Sequence, residues 1–269
     1  MDTTNLLTKF ARIGARLKVT ERPVRGSQPQ ARAIALDVRA DREGEFFEVR
    51  HSQASDPEVS VLDVQGQDRH LLLMVRERNE KRKFLCGHDE RHWFIAAIPE
   101  SASVGTVLQA KEALKPVEVQ SAQARQRLGS KARNRRKNSA YRRQGEWFFL
   151  PAPDFIVDDS LVLRNEPLRR GNGGKPHWTE FCYRTGGETV YVCPRHPNGV
   201  TTAQYQRILI SNPKARGWPW QVLRRNPGVY VRGRVRHADH KTIVLHGWHK
   251  VVMNTEFQAK AMRNVAFLD

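Results

Sequence analysis

Leu6, Phe10, Ile13 and Leu17 are spaced four, three and four apart, which gives the start of the chain one apolar helical face. Thr3 and Thr4 stand where a helix needs a cap, so an amphipathic helix is predicted to open the fold. A Pro, Gln and Gly-rich connector near residues 23–30 follows. The pattern then changes to short strand-like runs: 34–38, 46–49, 59–61, 71–75, 84–86 and 93–98. Turn residues at Gly44, at Gly66 to Asp68 and at Asn79 to Lys81 leave too little chain for crossovers, so antiparallel hairpins are expected. A helix over 104–114, ended by Pro116, closes a first domain of residues 1–116.

Residues 117–145 carry almost no large apolar side chain and read as a linker or arm. Hydrophobic patterning resumes at Glu146 to Leu150 (EWFFL), an aromatic strand stopped by Pro151 and Pro153. Further elements follow: a strand over 161–163, a helix over 202–210 ended by Asn212 and Pro213, and a last helix over 255–265. Between Gly228 and Met253, Val229, Val231 and Val235 alternate with Tyr230, Arg232, Arg234 and Arg236, which is strand periodicity. A turn at Asp239 and His240 would make this a hairpin pairing Val235 with Val244, Gly233 with His246 and Val231 with Trp248. The expected class is α+β: an N-terminal helix plus antiparallel sheet domain, an Arg-rich linker, and a second β-rich α+β domain over residues 146–269.

Composition agrees with two real cores, since 269 residues with 39% hydrophobic content can bury them. No apolar run approaches bilayer length and no cleavable leader opens the chain, so the expectation is a cytoplasmic protein without a membrane partner. Cys86, Cys182 and Cys193 are an odd set, which argues against a disulfide framework.

Charge alters the picture more. The net +18 divides into +1 over residues 1–120, +8 over 121–150 and +9 over 151–269. Nine of the nineteen residues from Arg125 to Arg143 are Lys or Arg and none is acidic: Arg125, Arg127, Lys131, Arg133, Arg135, Arg136, Lys137, Arg142 and Arg143. An uncompensated run repels itself and gains most by neutralising phosphates. Arg outnumbers Lys in it, and its planar fork suits phosphate and guanine edges. Arg232, Arg234 and Arg236, with Tyr230 and His249 beside them on the outer face, would add a cationic ribbon, and Tyr230, Trp218 or Trp220 could stack on unpaired bases. Nucleic acid, RNA before DNA, is the expected partner; a passive solvated tether and an edge strand blunted by charge are the plainer readings.

Candidate chemistry is sparse. The loop LRRGNGGKPHW places Pro176 where a Walker motif needs Ser or Thr, which removes a nucleoside triphosphate site. His177, Cys182, Cys193 and His196 carry metal-ligand spacing, and if Tyr183 to Val192 folds back as a hairpin, both pairs meet around a zinc ion. His237, His240, His246 and His249 fall within thirteen residues, and His237 with Asp239 is half of a two-His-one-carboxylate site. On the proposed hairpin, at most part of that cluster converges. In GHDERHW the spacing is not that of a zincin, and a polar turn with His92 bonded to a backbone carbonyl is expected. There is no Gly-x-Ser-x-Gly elbow, Cys-x-x-Cys pair or dinucleotide fingerprint. Two alternatives stand beside nucleic-acid binding: a metal-dependent phosphodiesterase using His88, Asp89, Glu90 and His92, and a scaffold subunit whose residues 1–116 meet a protein partner.

Overall fold

The computed structural model describes residues 2–22, 34–52, 57–77, 80–169, 175–225 and 227–259. The connector at 23–30, the Asn79 end of one predicted turn, the glycines of LRRGNGGKPHW and the end of the predicted last helix lie outside these residues. The chain forms two compact units, one running to Gln120 and rejoined from Asn254, the other Ser121–Met253. Mixed α+β architecture with antiparallel sheets is what the structure shows.

The first unit opens with α1 (Thr3–Ala11), capped by the Asp2 carboxylate accepting from Asn5 N–H. Strands β1 (Leu17–Arg22), β2 (Ile34–Asp41) and β3 (Gly44–Ser52) make a three-stranded sheet in the order β1-β3-β2. The helix is shorter than its apolar spacing suggests. Leu6 and Phe10 lie on α1, Ile13 is buried in the turn after it, and Leu17 starts β1, which pairs parallel to β3. That parallel pair was not anticipated from the hairpin signals.

Strands β4 (Glu58–Gln65), β5 (His70–Glu77), β6 (Glu80–Asp89) and β7 (His92–Ile98) form an antiparallel meander. One face, through Leu71, Leu73, Val75, Phe84 and Trp93, packs on α1 and on Phe47 and Val49. The other, through Leu72, Leu85, Ala96 and Ile98, packs on Val107, Ala110 and Leu114 of α2 (Val107–Ala113) and its end. Burial on both faces explains the uninterrupted apolar run of β5. Thr255, in a 3-10 turn over Thr255–Gln258, returns to donate its hydroxyl to Ala113 C=O and its N–H to Leu114 C=O, satisfying carbonyls that α2 leaves open. Among the described residues this short turn stands in place of the predicted last helix.

The boundary between the units falls inside α3 (Val117–Arg125). Beyond α4 (Ser130–Arg133), the second unit is built on a six-stranded antiparallel sheet ordered β10-β11-β15-β16-β9-β8. Its strands are β8 (Arg142–Gln144), β9 (Trp147–Pro151), β10 (Leu163–Leu168), β11 (His177–Thr185), β15 (Gly228–Arg236) and β16 (Ile243–Met253). Trp147, Phe149, Leu168, Cys182, Val229, Val231, Val235, Leu245 and Val251 fill its core. The sheet curls around them. The rings of Trp147 on β9 and His177 on β11 meet at 6.3 Å, although two strands separate them, which in a flat sheet sets backbones about 14 Å apart.

Strands β11 and β15 continue in unbroken register into β12 (Glu188–Cys193) and β14 (Gln221–Arg225): Thr185 pairs with Gly228 and Glu188 with Arg225. The result is one long ribbon, bent where Gly186 and Gly187 take φ of 65° and 80°. Such left-handed backbone is open to glycine at little cost. The ribbon's far end carries β13 (His196–Thr201), α5 (Thr202–Ser211) and a 3-10 turn over Pro213–Gly217. The predicted helix over 202–210 is α5, whose capping box joins Thr201 and Gln204.

The β15–β16 hairpin exists, but not in the expected register. Val235 pairs with Ile243, Gly233 with Leu245 and Val231 with His249, with a bulge between Val231 and Gly233. Residues 237–242 form a six-residue loop in place of a tight turn, because β15 ends at Arg236 and β16 begins at Ile243. The expected alternation survives on β15, where Val231 and Val235 are fully buried while Arg234 and Arg236 are exposed.

Candidate nucleic-acid interface and histidine cluster

The stretch expected to be a linker or arm carries regular structure, with α3, α4 and β8 in it. Asn138 is its hinge pin. Its Oδ1 accepts from the N–H of Ala140 at 2.9 Å and of Tyr141 at 3.0 Å, and its Nδ2 donates to Ala132 C=O at 3.2 Å. Tyr141, 2% exposed, donates its hydroxyl to Arg133 C=O at 2.6 Å and packs edge-on against Phe148. Buried Gln123 donates to the same carbonyl at 2.7 Å. A segment that looks too polar to hold itself thus relies on side-chain to backbone bonds. Around this frame Arg125, Arg127, Lys131, Arg135 and Lys137 are exposed, while Arg133, Arg136, Arg142 and Arg143 are half-buried. Arg142 also donates to Val244 C=O, which joins the stretch to β16. Asn138→Ala is expected to lower stability by about 1–3 kcal/mol, since two amides lose their acceptor. Urea unfolding and faster hydrogen exchange at Tyr141 check it.

On the ribbon the three arginines point away from the core, and each has a partner. Arg232 meets Asp159 at 3.2 Å and lies over the rings of Phe181 and Trp248. Arg234 pairs with Glu180 at 3.3 Å, and Arg236 donates to Asn165 Oδ1 at 2.7 Å. The Arg234 N–H, then its guanidinium, hold the Glu180 carboxyl below its usual range. Tyr230 is stacked face to face on Phe155 with centroids 3.8 Å apart, so that ring face is already used and the stacking role expected of Tyr230 is not supported. His249, expected beside it on the outer face, is buried, with Nδ1 3.0 Å from Gly247 C=O.

The far end of the ribbon supplies the aromatic surface instead. Tyr191 stacks on Tyr205 at 3.9 Å, His196 on Trp220 at 5.6 Å, and Arg195 lies 4.6 Å over the ring of Trp218. All four of these tyrosines and tryptophans are half-buried, with an edge or face to solvent. The signal for this surface was present in composition: residues 189–238 contain nine Lys or Arg and no Asp or Glu. An open groove of about 440 Å³ at the ribbon's bend is lined by Arg184, Thr185, Val222 and Arg224 among others.

The predicted zinc quartet does not assemble. Tyr183 to Val192 does not fold back; β11 and β12 run on along the ribbon and pair with β15 and β14, which carries His177 and Cys182 away from Cys193 and His196. Cys182 packs in the core of the six-stranded sheet, and burial pushes its thiol up to about 11, which disfavours the thiolate a metal needs. Cys193 is buried opposite His196 in the β12–β13 hairpin.

A different cluster forms. His177, at the start of β11, meets His237 and His240 of the six-residue loop, with one ligand nitrogen from each lying within 4.8 Å of the others. The rings are stacked, at 4.1 Å for His177 and His237 and 4.7 Å for His237 and His240. Two ties hold the loop in place: Gln144 Nε2 donates to Lys241 C=O at 2.8 Å, and Lys175 pairs with Asp239 at 2.8 Å. Burial, with the neighbouring His237 and His240, pushes the His177 pKa down to about 3. His246, the remaining member of the expected cluster, is exposed on β16. The spacing of His237 and His240 was visible in the sequence; the approach of His177 depends on how β11 pairs with β15.

In the first unit, His92 Nδ1 lies 2.7 Å from Glu45 Oε1, and Trp93 N–H donates to Glu45 Oε2 at 2.9 Å. A carboxylate is therefore a partner of His92, where a backbone carbonyl was expected. His88 packs edge-on to Trp93 at 4.9 Å, and burial lowers its pKa. This turn is knitted to β3 through Glu45. No helix among the described residues is long and apolar enough to cross a membrane. No protein-family model, curated protein or solved structure matches the chain.

Proposed function

We propose that the second unit binds single-stranded nucleic acid, RNA in preference to DNA. One observation carries this reading: both acid-free basic segments, 125–143 and 189–238, belong to the same folded unit. Their cations are therefore presented on ordered backbone, which lowers the entropy lost when a strand is engaged. Phosphates meet the exposed arginines and lysines of the α3–β8 stretch and the outer face of β15. Bases meet the solvent-facing parts of the aromatic end of the ribbon, where Trp218 and Trp220, already stacked with Arg195, His196 and one another, stand beside Arg216 and Lys214. Ion pairs to Asp159 and Glu180 reduce the free charge of β15, so the α3–β8 stretch contributes most of the affinity.

Fluorescence anisotropy with a 20-nucleotide RNA, its DNA counterpart and a DNA duplex, over a series of salt concentrations, tests the proposal. The single-stranded RNA is expected to bind tightest. Replacing Arg125, Lys131 and Arg135 with Ala should reduce the slope of log affinity against log salt by about two, given roughly 0.7 per phosphate contact on a single strand. No binding at low salt overturns the reading, and an unchanged slope removes the stretch from the interface.

A further inference from the structure

Three imidazoles converge where the curl of the six-stranded sheet brings β11, the β8–β9 turn and the β15–β16 loop together, and their surroundings are arranged around them. His177 is 2% exposed, and neither of its ring nitrogens has a hydrogen-bond partner. A buried imidazole whose donor and acceptor are both unmet costs about 1–3 kcal/mol, a cost that a ligand at the ring removes. His237 is held from both sides, its Nδ1 accepting from Asp239 N–H at 3.1 Å and its Nε2 lying 3.2 Å from Lys175 C=O. The backbone opposite is Gly145, at φ 57°. A Cβ there would lie 3.0 Å from His240 Nε2 and 3.4 Å from His177 Nε2, so these two nitrogens face one point that any side chain would crowd. Glycine at this turn keeps the space before both rings clear.

We propose that His177, His237 and His240 form a three-imidazole site for a first-row divalent metal ion of the zinc class. Imidazole is the ligand that such ions share, and three neutral nitrogens suit Zn²⁺ better than Mg²⁺ or Ca²⁺, which favour oxygen. His237 gives up one of its two hydrogen bonds to the ion; the other orients the ring, as an outer partner does for a metal-bound histidine. Three protein ligands leave a fourth position for water or an anionic oxygen. The Lys175 and Asp239 pair and the Gln144 bond fix the loop that brings two of the ligands, so the three imidazoles are already neighbours, and binding an ion requires the stacked rings to turn.

The test uses the full chain, freed of metal by chelator and titrated with Zn²⁺ by calorimetry, with Co²⁺ as a spectroscopic substitute. The expected result is one ion per chain, and a visible Co²⁺ band of a nitrogen-rich, low-coordinate site. His240→Ala lies on a half-buried loop and is expected to fold, which circular dichroism checks. It should weaken Zn²⁺ by more than the roughly 10–100-fold that losing an outer partner costs. Cys193→Ser should leave the affinity unchanged. Binding that survives both His240→Ala and His237→Ala overturns the site, as does absence of stoichiometric binding in the folded protein. Loss on Cys193→Ser instead moves the ion elsewhere and also overturns it. None of these results depends on whether the chain binds RNA.

Discussion

Val235→Asp is expected to abolish cooperative folding of the second unit, whereas Arg234→Ala, its neighbour on β15, is expected to leave the thermal melt unchanged within error. Val235 is fully buried among Thr179, Ile243 and the hydrophobic core of the curled sheet. Removing the valine forfeits about 1.5–3 kcal/mol of burial. Placing a carboxyl there adds a few kcal/mol more even when it takes up a proton, out of a total stability of roughly 5–15 kcal/mol for a domain. The Arg234 side chain is 65% exposed, and its pair with Glu180 is the surface kind that contributes little. Near-UV circular dichroism and tryptophan fluorescence, reporting through buried Trp147, separate the two outcomes. Equal melts would mean that the two residues do not face opposite sides of the sheet. Arg234→Ala should weaken RNA binding while folding is preserved, so the pair also distinguishes a lost surface from a lost fold.

Much of the architecture could be read from local pattern. The alternation of Val231 and Val235 with Arg232, Arg234 and Arg236 fixes which side faces the core whatever the pairing, and that arrangement is observed. The capping box at Thr201 and the apolar run at Leu71 to Val75 are similarly local. The readings that failed depend on non-local facts. The zinc quartet assumed that Tyr183 to Val192 folds back, but its paired glycines, Gly186 and Gly187 at positive φ, can bend a ribbon as readily as close a hairpin. Only the pairing of Glu188 with Arg225 decides between them. The Arg-rich stretch lacks aliphatic residues, and hydrophobicity could not reveal an order that rests on Asn138 and on buried Gln123 and Tyr141. The histidine cluster draws on residues sixty apart in sequence, His177 and His237, and needs the six-residue loop in place of a tight turn.

Acidification is expected to destabilise the protein through His177. In the folded chain its pKa stands near 3, and in the unfolded chain near the ordinary 6.5. Between these values the unfolded state binds a proton that the folded state refuses, so stability rises with pH in this window and is lost as pH falls below 6.5. With about 1.4 kcal/mol for each pH unit, the loss from pH 7 to pH 4.5 is about 2–3 kcal/mol. The physical cause is burial: an imidazolium there has no carboxylate bonded to it and two other histidines stacked nearby. Carboxylates such as Glu180, whose pKa is lowered, act in the same direction at lower pH, so the wild-type curve alone does not isolate the histidine. His177→Gln does, because a side chain that does not titrate removes this slope and leaves the rest. Urea unfolding of metal-free protein at several pH values should show stability falling more steeply for the wild type than for His177→Gln between pH 6.5 and 4.5. Parallel curves would mean that His177 takes up its proton without unfolding, and hence that the cluster is open enough to solvate an imidazolium.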